Sequence, residues 1–253
     1  MINLLRSEWI KLRTVAMNWV LAIIAVAFPL VVTLLTAFFE GDKDGFKGRD
    51  LVSTLTGTTV VTALLCGVIA AASITSEFGF GTIRPTFAAT PKRLNVVVAK
   101  GLVVVLATTI LATVVVVIGW FAGSAIATAR GANMTLEYWP TTVPAMVGVV
   151  VLTGLMSLVG YGFGMMTRST PVAVAILIVW PLIAEGLVGA LLALVTGNDN
   201  IRAWMPFQAG IRLALVDSFG DGGPSRLVSG FYFGLVGLAI AGLGSWAVNR
   251  RDA

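Results

Sequence analysis

Few side chains in this sequence could carry out acid–base or nucleophilic chemistry, and they lack the partners that such chemistry needs. The 253 residues include no histidine and one cysteine, Cys66. Ser-His-Asp hydrolases, Cys-His proteases and histidine-bearing zinc motifs need an imidazole, and a lone cysteine forms neither an internal disulfide nor a CxxC pair. We therefore expect neither a self-contained hydrolase nor a redox or haem protein.

Phosphate chemistry also lacks its usual motif. The chain contains no GxxxxGK[ST] sequence, which would wrap nucleotide phosphates in backbone N–H groups. If ATP drives this protein, a second polypeptide must hydrolyse it.

Glu185 is the one ionisable residue in the apolar run Thr170–Thr196. Pro181 lies four residues earlier and frees the carbonyl of Leu177, which predicts a kink and irregular backbone. Two interpretations of Glu185 remain open. Either it faces a wet cavity inside the bundle and contacts a polar or cationic group of a ligand, on which Trp180 could stack, or it is a protonated or hydrogen-bonded residue that ties two helices together.

The composition indicates that these residues lie in a bilayer. Hydrophobic side chains make up 57% of the chain and charged ones 11%, with a mean hydropathy of +0.95. Globular proteins average roughly 25% charged residues. Six nearly charge-free runs are long enough to cross a hydrocarbon core of about 30 Å: Val15–Phe39, Leu51–Ser76, Gly101–Ala129, Val143–Thr167, Thr170–Thr196 and Leu227–Val248.

The charges between the runs predict the orientation. Of the 17 lysines and arginines, ten lie with the two termini and seven in the opposite loops. The positive-inside rule predicts that both termini are cytoplasmic. We expect the membrane to be the inner membrane of a bacterium. The net charge of +5 is thus mainly a cytoplasmic excess rather than a sign of nucleic-acid binding. No connection could bury a core of its own, so we expect residues 1–253 to form a single transmembrane domain.

The N-terminal residues predict an amphipathic helix at the cytoplasmic membrane surface. Ile2, Leu5, Trp9, Leu12 and Ala16 form its apolar stripe, and the other side carries the polar residues Arg6, Ser7, Glu8, Lys11 and Arg13. The helix is either a surface anchor or an elbow that also touches a cytoplasmic partner.

The stretch after the second run, Glu77 to Arg93, predicts a short cytoplasmic helix. Gly79 and Gly81 allow a change of direction, and Thr82 can cap a helix that Pro91 ends. The alternative is a basic, solvated connection.

This stretch resembles the membrane subunits of ABC exporters of the type-2 class. The resemblance rests on an acidic residue that ends the second span, the Gly-Thr-Ile-Arg that follows it, the N-terminal Ser-Glu-Trp-Ile-Lys-Leu-Arg, the six spans and the basic tail. The matching residues of the loop are Glu77, Gly81, Thr82, Ile83, Arg84, Pro91 and Arg93.

The resemblance implies an all-α permease that works as a pair of membrane subunits with two copies of a separate P-loop ATPase. The loop would carry a coupling helix that docks on the ATPase, with Arg84 in contact with the ATPase and Glu77 holding the turn beneath helix two. The coupling residues would be Glu77, Gly81, Thr82, Ile83, Arg84 and Phe87. Helices two and five of two copies would flank the export path, which Glu185 and Trp180 would line. ATP and Mg²⁺ would be bound by the ATPase, and this chain would hold no cofactor or metal and catalyse no reaction.

Two further expectations follow. The cargo would be a hydrophobic or amphiphilic molecule such as a drug, antibiotic, peptide or lipid, because the external loops are small. The external segment between Ile201 and Ser218 would be either a re-entrant or interfacial helix or a surface loop.

The alternative function is an ATP-independent channel or an ion-coupled secondary transporter that uses Glu185.

Overall fold

A computed structural model describes residues 2–42, 45–82, 93–135, 139–216 and 222–251, and within these ranges the regular structure is helical. The α-helices are accompanied by a π-helical segment, Trp180–Ala184, and a 3₁₀ turn, Asp199–Trp204. The helices are α1 (Ile2–Thr14), α2 (Ala16–Glu40), α3 (Gly48–Gly79), α4 (Arg93–Ala129), α5 (Trp139–Thr167), α6 (Thr170–Val179), α7 (Glu185–Thr196), α8 (Pro206–Arg212) and α9 (Arg226–Arg251).

Six helical stretches are long and apolar enough to cross a membrane, which confirms the six predicted spans. They are α2, α3, α4, α5, the α6–α7 pair and α9. Successive spans run in opposite directions, so both chain termini lie at one end of the bundle, which we call the terminal end. Val248 of α9 packs there with Ile74 and Val96. We call the opposite end the distal end.

Helices α3 and α5 form the centre of the bundle. In each, 56% of the most apolar window is buried, against 22% in α2 and in α9. Gly160 of α5 allows this close approach, because a Cβ atom there would overlap the carbonyl oxygen of Gly67 in α3. The main core lies around this contact and includes Leu55, Leu152, Met156, Leu177 and Phe233.

Several helices extend beyond the charge-free runs that predicted them, and α4 and α3 show this at their starts. Helix α4 begins at Arg93 rather than near Gly101, and α3 begins at Gly48 rather than Leu51. At the start of α3, the carboxylate of Asp50 accepts the backbone N–H of Lys47 at 2.9 Å and so caps the helix. Charged residues ended the runs in the sequence without ending the helices.

Helix α1 forms as predicted, but its two polar residues Glu8 and Lys11 were placed on the wrong side. The face turned toward the bundle carries Leu4, Leu5, Glu8, Lys11 and Leu12, and Glu8 is 2% exposed. This face is selected because Glu8 and Lys11 find partners of opposite charge inside the bundle. The apolar stripe predicted for the helix is split, since Ile2 and Trp9 are exposed.

Candidate functional site

Four charged side chains meet where α1, the end of α3 and the start of α4 converge at the terminal end. We call Glu8, Lys11, Glu77 and Lys100 the ion quartet. Lys11 Nζ lies 2.7 Å from Glu8 Oε1 and 2.9 Å from Glu77 Oε1. Lys100 Nζ pairs with Glu8 Oε2 and lies 2.9 Å from Glu77 Oε1. The quartet therefore ties three helices together with alternating charges.

The positions of these residues follow from helix periodicity. Glu8 and Lys11 are three residues apart on α1 and so share its inward face. Glu77 lies in the last turn of α3, and Lys100 lies two turns into α4. Tyr161 of α5 steadies this part of α4, since its hydroxyl donates to the carbonyl of Val97 at 2.8 Å.

Three of the four members are buried, whereas the Lys11 side chain is 43% exposed. Glu8, Glu77 and Lys100 are 2%, 7% and 4% exposed. Burial alone would raise the pKa of Glu8, but the ammonium groups of Lys100 and Lys11 outweigh burial and bring that pKa below its ordinary value. Burial alone would lower the pKa of Lys11, and hydrogen bonds to Glu8 and Glu77 bring it above its ordinary value. Glu8 and Lys11 are thus charged at neutral pH.

A cavity of about 550 Å³ lies beside the quartet and is lined by all four of its residues. Its wall also includes Asn18 of α2 and Thr170 of α6. Parts of α1, α2, α3, α4 and the start of α6 thus surround one space at the terminal end.

The chain leaves α3 directly next to the quartet. The N–H of Phe80 donates to the carbonyl of Ser76 and closes the last turn of the helix. Gly81 follows with a φ of +68°, a left-handed conformation that glycine adopts without strain. The Thr82 hydroxyl donates to the carbonyl of Glu77 at 3.4 Å.

The structure thus brings three of the predicted coupling residues, Glu77, Gly81 and Thr82, to the base of the predicted coupling segment. Ile83, Arg84 and Phe87, and with them the predicted coupling helix, lie outside the described residues.

Three members of the quartet, Glu8, Lys11 and Lys100, are not predicted as site residues from the sequence. Glu8 and Lys11 were assigned to the polar side of α1, and Lys100 was only counted among the basic residues. A signal was present, since Glu77 and Lys100 stand at the ends of consecutive apolar runs. Their charges are therefore brought to the same end of the bundle, where a buried carboxylate needs a cation.

Glu185 lies far from the quartet, in the distal half of the bundle. It is 2% exposed, and its two carboxylate oxygens accept the backbone N–H groups of Phe207 and Gln208, each at 2.9 Å. These N–H groups belong to the first turn of α8, where they have no partner within the helix. The arrangement supports the interpretation of Glu185 as a hydrogen-bonded residue that ties two helices together.

The chain after α7 folds back along the helix that precedes it. Glu185 is the first residue of α7 and Thr196 the last, so the start of α8 has returned by about 17 Å from the end of α7. Part of the segment predicted as either helix or surface loop is therefore helical, as the 3₁₀ turn Asp199–Trp204 and α8. Phe207 and Gly210 of α8 are buried.

The backbone before Glu185 is irregular, as Pro181 predicts. A π-helical segment occupies Trp180–Ala184, and Pro181 is buried within it. Trp180 is 47% exposed on the outside of the chain, whereas Glu185 is buried. A single copy therefore does not bring these two predicted path residues to one surface, and neither lines the cavity beside the quartet.

The described residues contain no group of three or more aspartate, glutamate or cysteine side chains that could hold a metal ion. The only cysteine, Cys66, is buried in α3.

Comparison with known proteins agrees with the architecture. A family model described as "ABC-2 family transporter protein" matches residues 4–196, which is more than half of the chain. No curated protein and no solved structure matches the chain. The matched range contains the quartet, Glu185 and five of the six spans. The chain, a multi-pass membrane protein, therefore belongs to the ABC-2 transporter family.

Proposed function

We propose that this protein is the transmembrane subunit of an ATP-driven exporter that moves a hydrophobic or amphiphilic molecule out of the cytoplasm. Membership of the ABC-2 family supports a permease that works with an ATPase subunit. The excess of basic residues beside the termini supports a terminal end that faces the cytoplasm of a bacterium.

The proposed complex contains two copies of the permease and two of the ATPase, which binds ATP and Mg²⁺. This chain contributes the path and the coupling surface and holds no cofactor. Trp180 would face the path only with a second copy beside α6, because it is exposed on the outside of a single copy. Glu185 would then stand behind the path wall and hold it in place.

The ion quartet is the observation that carries the coupling mechanism. Residues 83–92 connect α3 to α4, and the quartet joins these helices to each other and to α1. Since Glu77 pairs with both lysines, a push on the connection moves the three helices as a unit rather than bending one of them. In this mechanism Arg84 contacts the ATPase, and Glu77 holds the helices against the push.

The rival function is an ATP-independent channel or an ion-coupled transporter that uses Glu185 as its ion site. Both oxygens of that carboxylate are engaged by backbone N–H groups, which leaves it poorly placed to take up and release an ion on each cycle. Transport that persists without ATP and collapses with the proton gradient would favour the rival.

The coupling assignment is tested by Arg84→Glu in the complex purified with its ATPase. We expect loss of either complex assembly or substrate-stimulated ATP hydrolysis, because the charge reversal would repel the surface that the arginine meets. Arg202→Glu, at the distal end, is the matched control and should leave both unchanged. The assignment is wrong if Arg84→Glu behaves like the control.

A further inference from the structure

A narrow apolar groove of about 160 Å³ lies near the terminal end, between α1, α2, α3 and α4. It adjoins the larger cavity, with which it shares Leu12 and Asn18, but its lining is more apolar. The groove is lined mainly by apolar side chains, among them Leu12, Ala22, Ile69, Ala107 and Leu111. Such a lining suits a hydrocarbon chain rather than a polar solute.

The groove opens toward the bilayer. The helix surfaces on either side of it are exposed and apolar, with Ile23 on α2 and Leu106 and Ile110 on α4. Ala107 and Leu111 lie six and ten residues after Gly101, where the charge-free part of α4 begins. At 1.5 Å per residue the groove reaches about 9–15 Å into the hydrocarbon, within the depth of one lipid leaflet.

The mouth of the groove carries side chains typical of the membrane–water boundary. Trp9 and Trp19 line it and are 47% and 56% exposed. The indole N–H of Trp19 donates to the carbonyl of Arg13 at 2.6 Å, which fixes the bend between α1 and α2. Tryptophan is enriched at this depth because its ring is apolar and its N–H is polar.

The charge at the mouth is positive and uncompensated. Arg13 lines the groove, and Arg6 lies two helical turns earlier on the exposed face of α1. Neither forms an ion pair within the described ranges. The single carboxylate of α1, Glu8, is turned away from this face and pairs with Lys100 and Lys11. The quartet thus leaves the outer face of α1 purely basic.

We propose that this groove is a binding site for an anionic phospholipid, with the phosphate at Arg13 and one acyl chain along Ala107 and Leu111. Arg6, two helical turns away on the same helix, adds to the positive charge near the headgroup. Charge complementarity selects an anionic headgroup, and the apolar groove beneath it selects a lipid over a soluble anion. The site depends on the membrane location of the chain and not on ATP-driven export.

Quenching of Trp9 and Trp19 by lipids with brominated acyl chains tests the site. The full chain is placed in phosphatidylcholine vesicles that contain a small, equal fraction of brominated phosphatidylglycerol or brominated phosphatidylcholine. Subtracting the signal of a Trp9→Phe/Trp19→Phe variant isolates the two indoles. We expect the anionic lipid to quench them at lower mole fraction, by about fivefold per arginine, since each basic residue near the surface contributes about 1 kcal/mol.

Two pairs of variants separate the headgroup site from the chain site. Arg13→Gln should remove about fivefold of the preference for the anionic lipid, while Arg202→Gln at the distal end should not. Ala107→Phe should fill the groove and reduce quenching by both lipids, whereas Val114→Phe adds the same ring to the exposed face of α4 outside the groove and should change nothing.

Equal quenching by the two lipids would overturn the proposal, as would a preference unaffected by Arg13→Gln. Quenching that falls as the protein-to-lipid ratio rises would also overturn it, because a second copy of the chain would then be covering the groove.

Discussion

Among the cations of the quartet, the Lys100 ammonium depends most on its partners, because it is buried and contacts two carboxylates. Its side chain is 5% exposed and pairs with Glu8 and Glu77. Removing one partner from a buried ion pair costs about 3–5 kcal/mol, because the remaining charge loses its compensation.

We therefore expect Lys100→Met to lower the free energy of unfolding by about 3–5 kcal/mol, and the Glu8→Gln/Lys100→Met pair to cost less than the sum of its single changes. Titration with a denaturing detergent measures this. Asp42→Asn breaks the exposed Asp42–Arg130 pair at the distal end and should cost about 0–1 kcal/mol. A Lys100→Met variant as stable as this control would show that the quartet is not an interlocked unit.

The lowered pKa of Glu8 predicts how this contribution depends on pH. A carboxyl group whose pKa is lower in the folded state stabilises that state above the ordinary glutamate pKa of about 4.3, and the stabilisation is lost as the pH falls through the folded-state pKa. The unfolding temperature of the wild type should exceed that of Glu8→Gln at neutral pH, and the two should converge in acid. A difference that widens as the pH falls would contradict the assignment.

Among the elements, α8 depends most visibly on one side chain. Glu185 supplies the acceptors for two N–H groups in its first turn. Hydrogen bonds to charged groups contribute about 1.5–3 kcal/mol each. The link holds the folded-back segment against α7.

Glu185→Leu should therefore release α8, and amide hydrogen exchange at Phe207 and Gln208 should accelerate at least tenfold. Asp199→Asn, in the adjoining 3₁₀ turn, is the matched control because Asp199 does not bond to α8 through any contact described above. Unchanged exchange in Glu185→Leu would show that packing alone holds the segment. Export by Glu185→Gln at unchanged expression separately tests the path, since full activity across substrates would remove Glu185 from it.

The helices that could be predicted from the sequence are those marked by long apolar runs. The six spans follow from uncharged runs, and the irregular backbone before Glu185 follows from Pro181. The start of α4 was not predictable from such runs, because Lys100 ends the run but its charge is neutralised by residues 92 and 23 positions earlier, Glu8 and Glu77. The hydrogen-bond partners of Glu185 were not predictable either, because every residue except proline has a backbone N–H and these donors leave no pattern in a sequence.

On the scale of the molecule, the ion quartet and the hydrogen bonds of Glu185 link helices in different parts of the bundle. The ion quartet joins α1, α3 and α4 at the terminal end, and Glu185 joins α7 to α8 in the distal half. Helix α3 packs closely on α5 through the core and so connects the quartet to the centre of the bundle. In the proposed mechanism, a displacement of the connection after Glu77 would therefore be transmitted through α3 to the core.

The most direct test of this account is a distance measured across the bundle in the complex with its ATPase. Spin labels at Ser7→Cys, on the exposed side of α1, and Thr196→Cys, at the distal end, are placed in a Cys66→Ala background. We predict that trapping the ATPase in its closed, nucleotide-bound state shifts the distribution of distances between the two labels. Glu77→Gln should abolish this shift while ATP hydrolysis continues. The control variant Asp42→Asn should retain the shift. The same shift in an assembled Glu77→Gln complex would contradict the claim that the quartet carries the work of the ATPase into the spans.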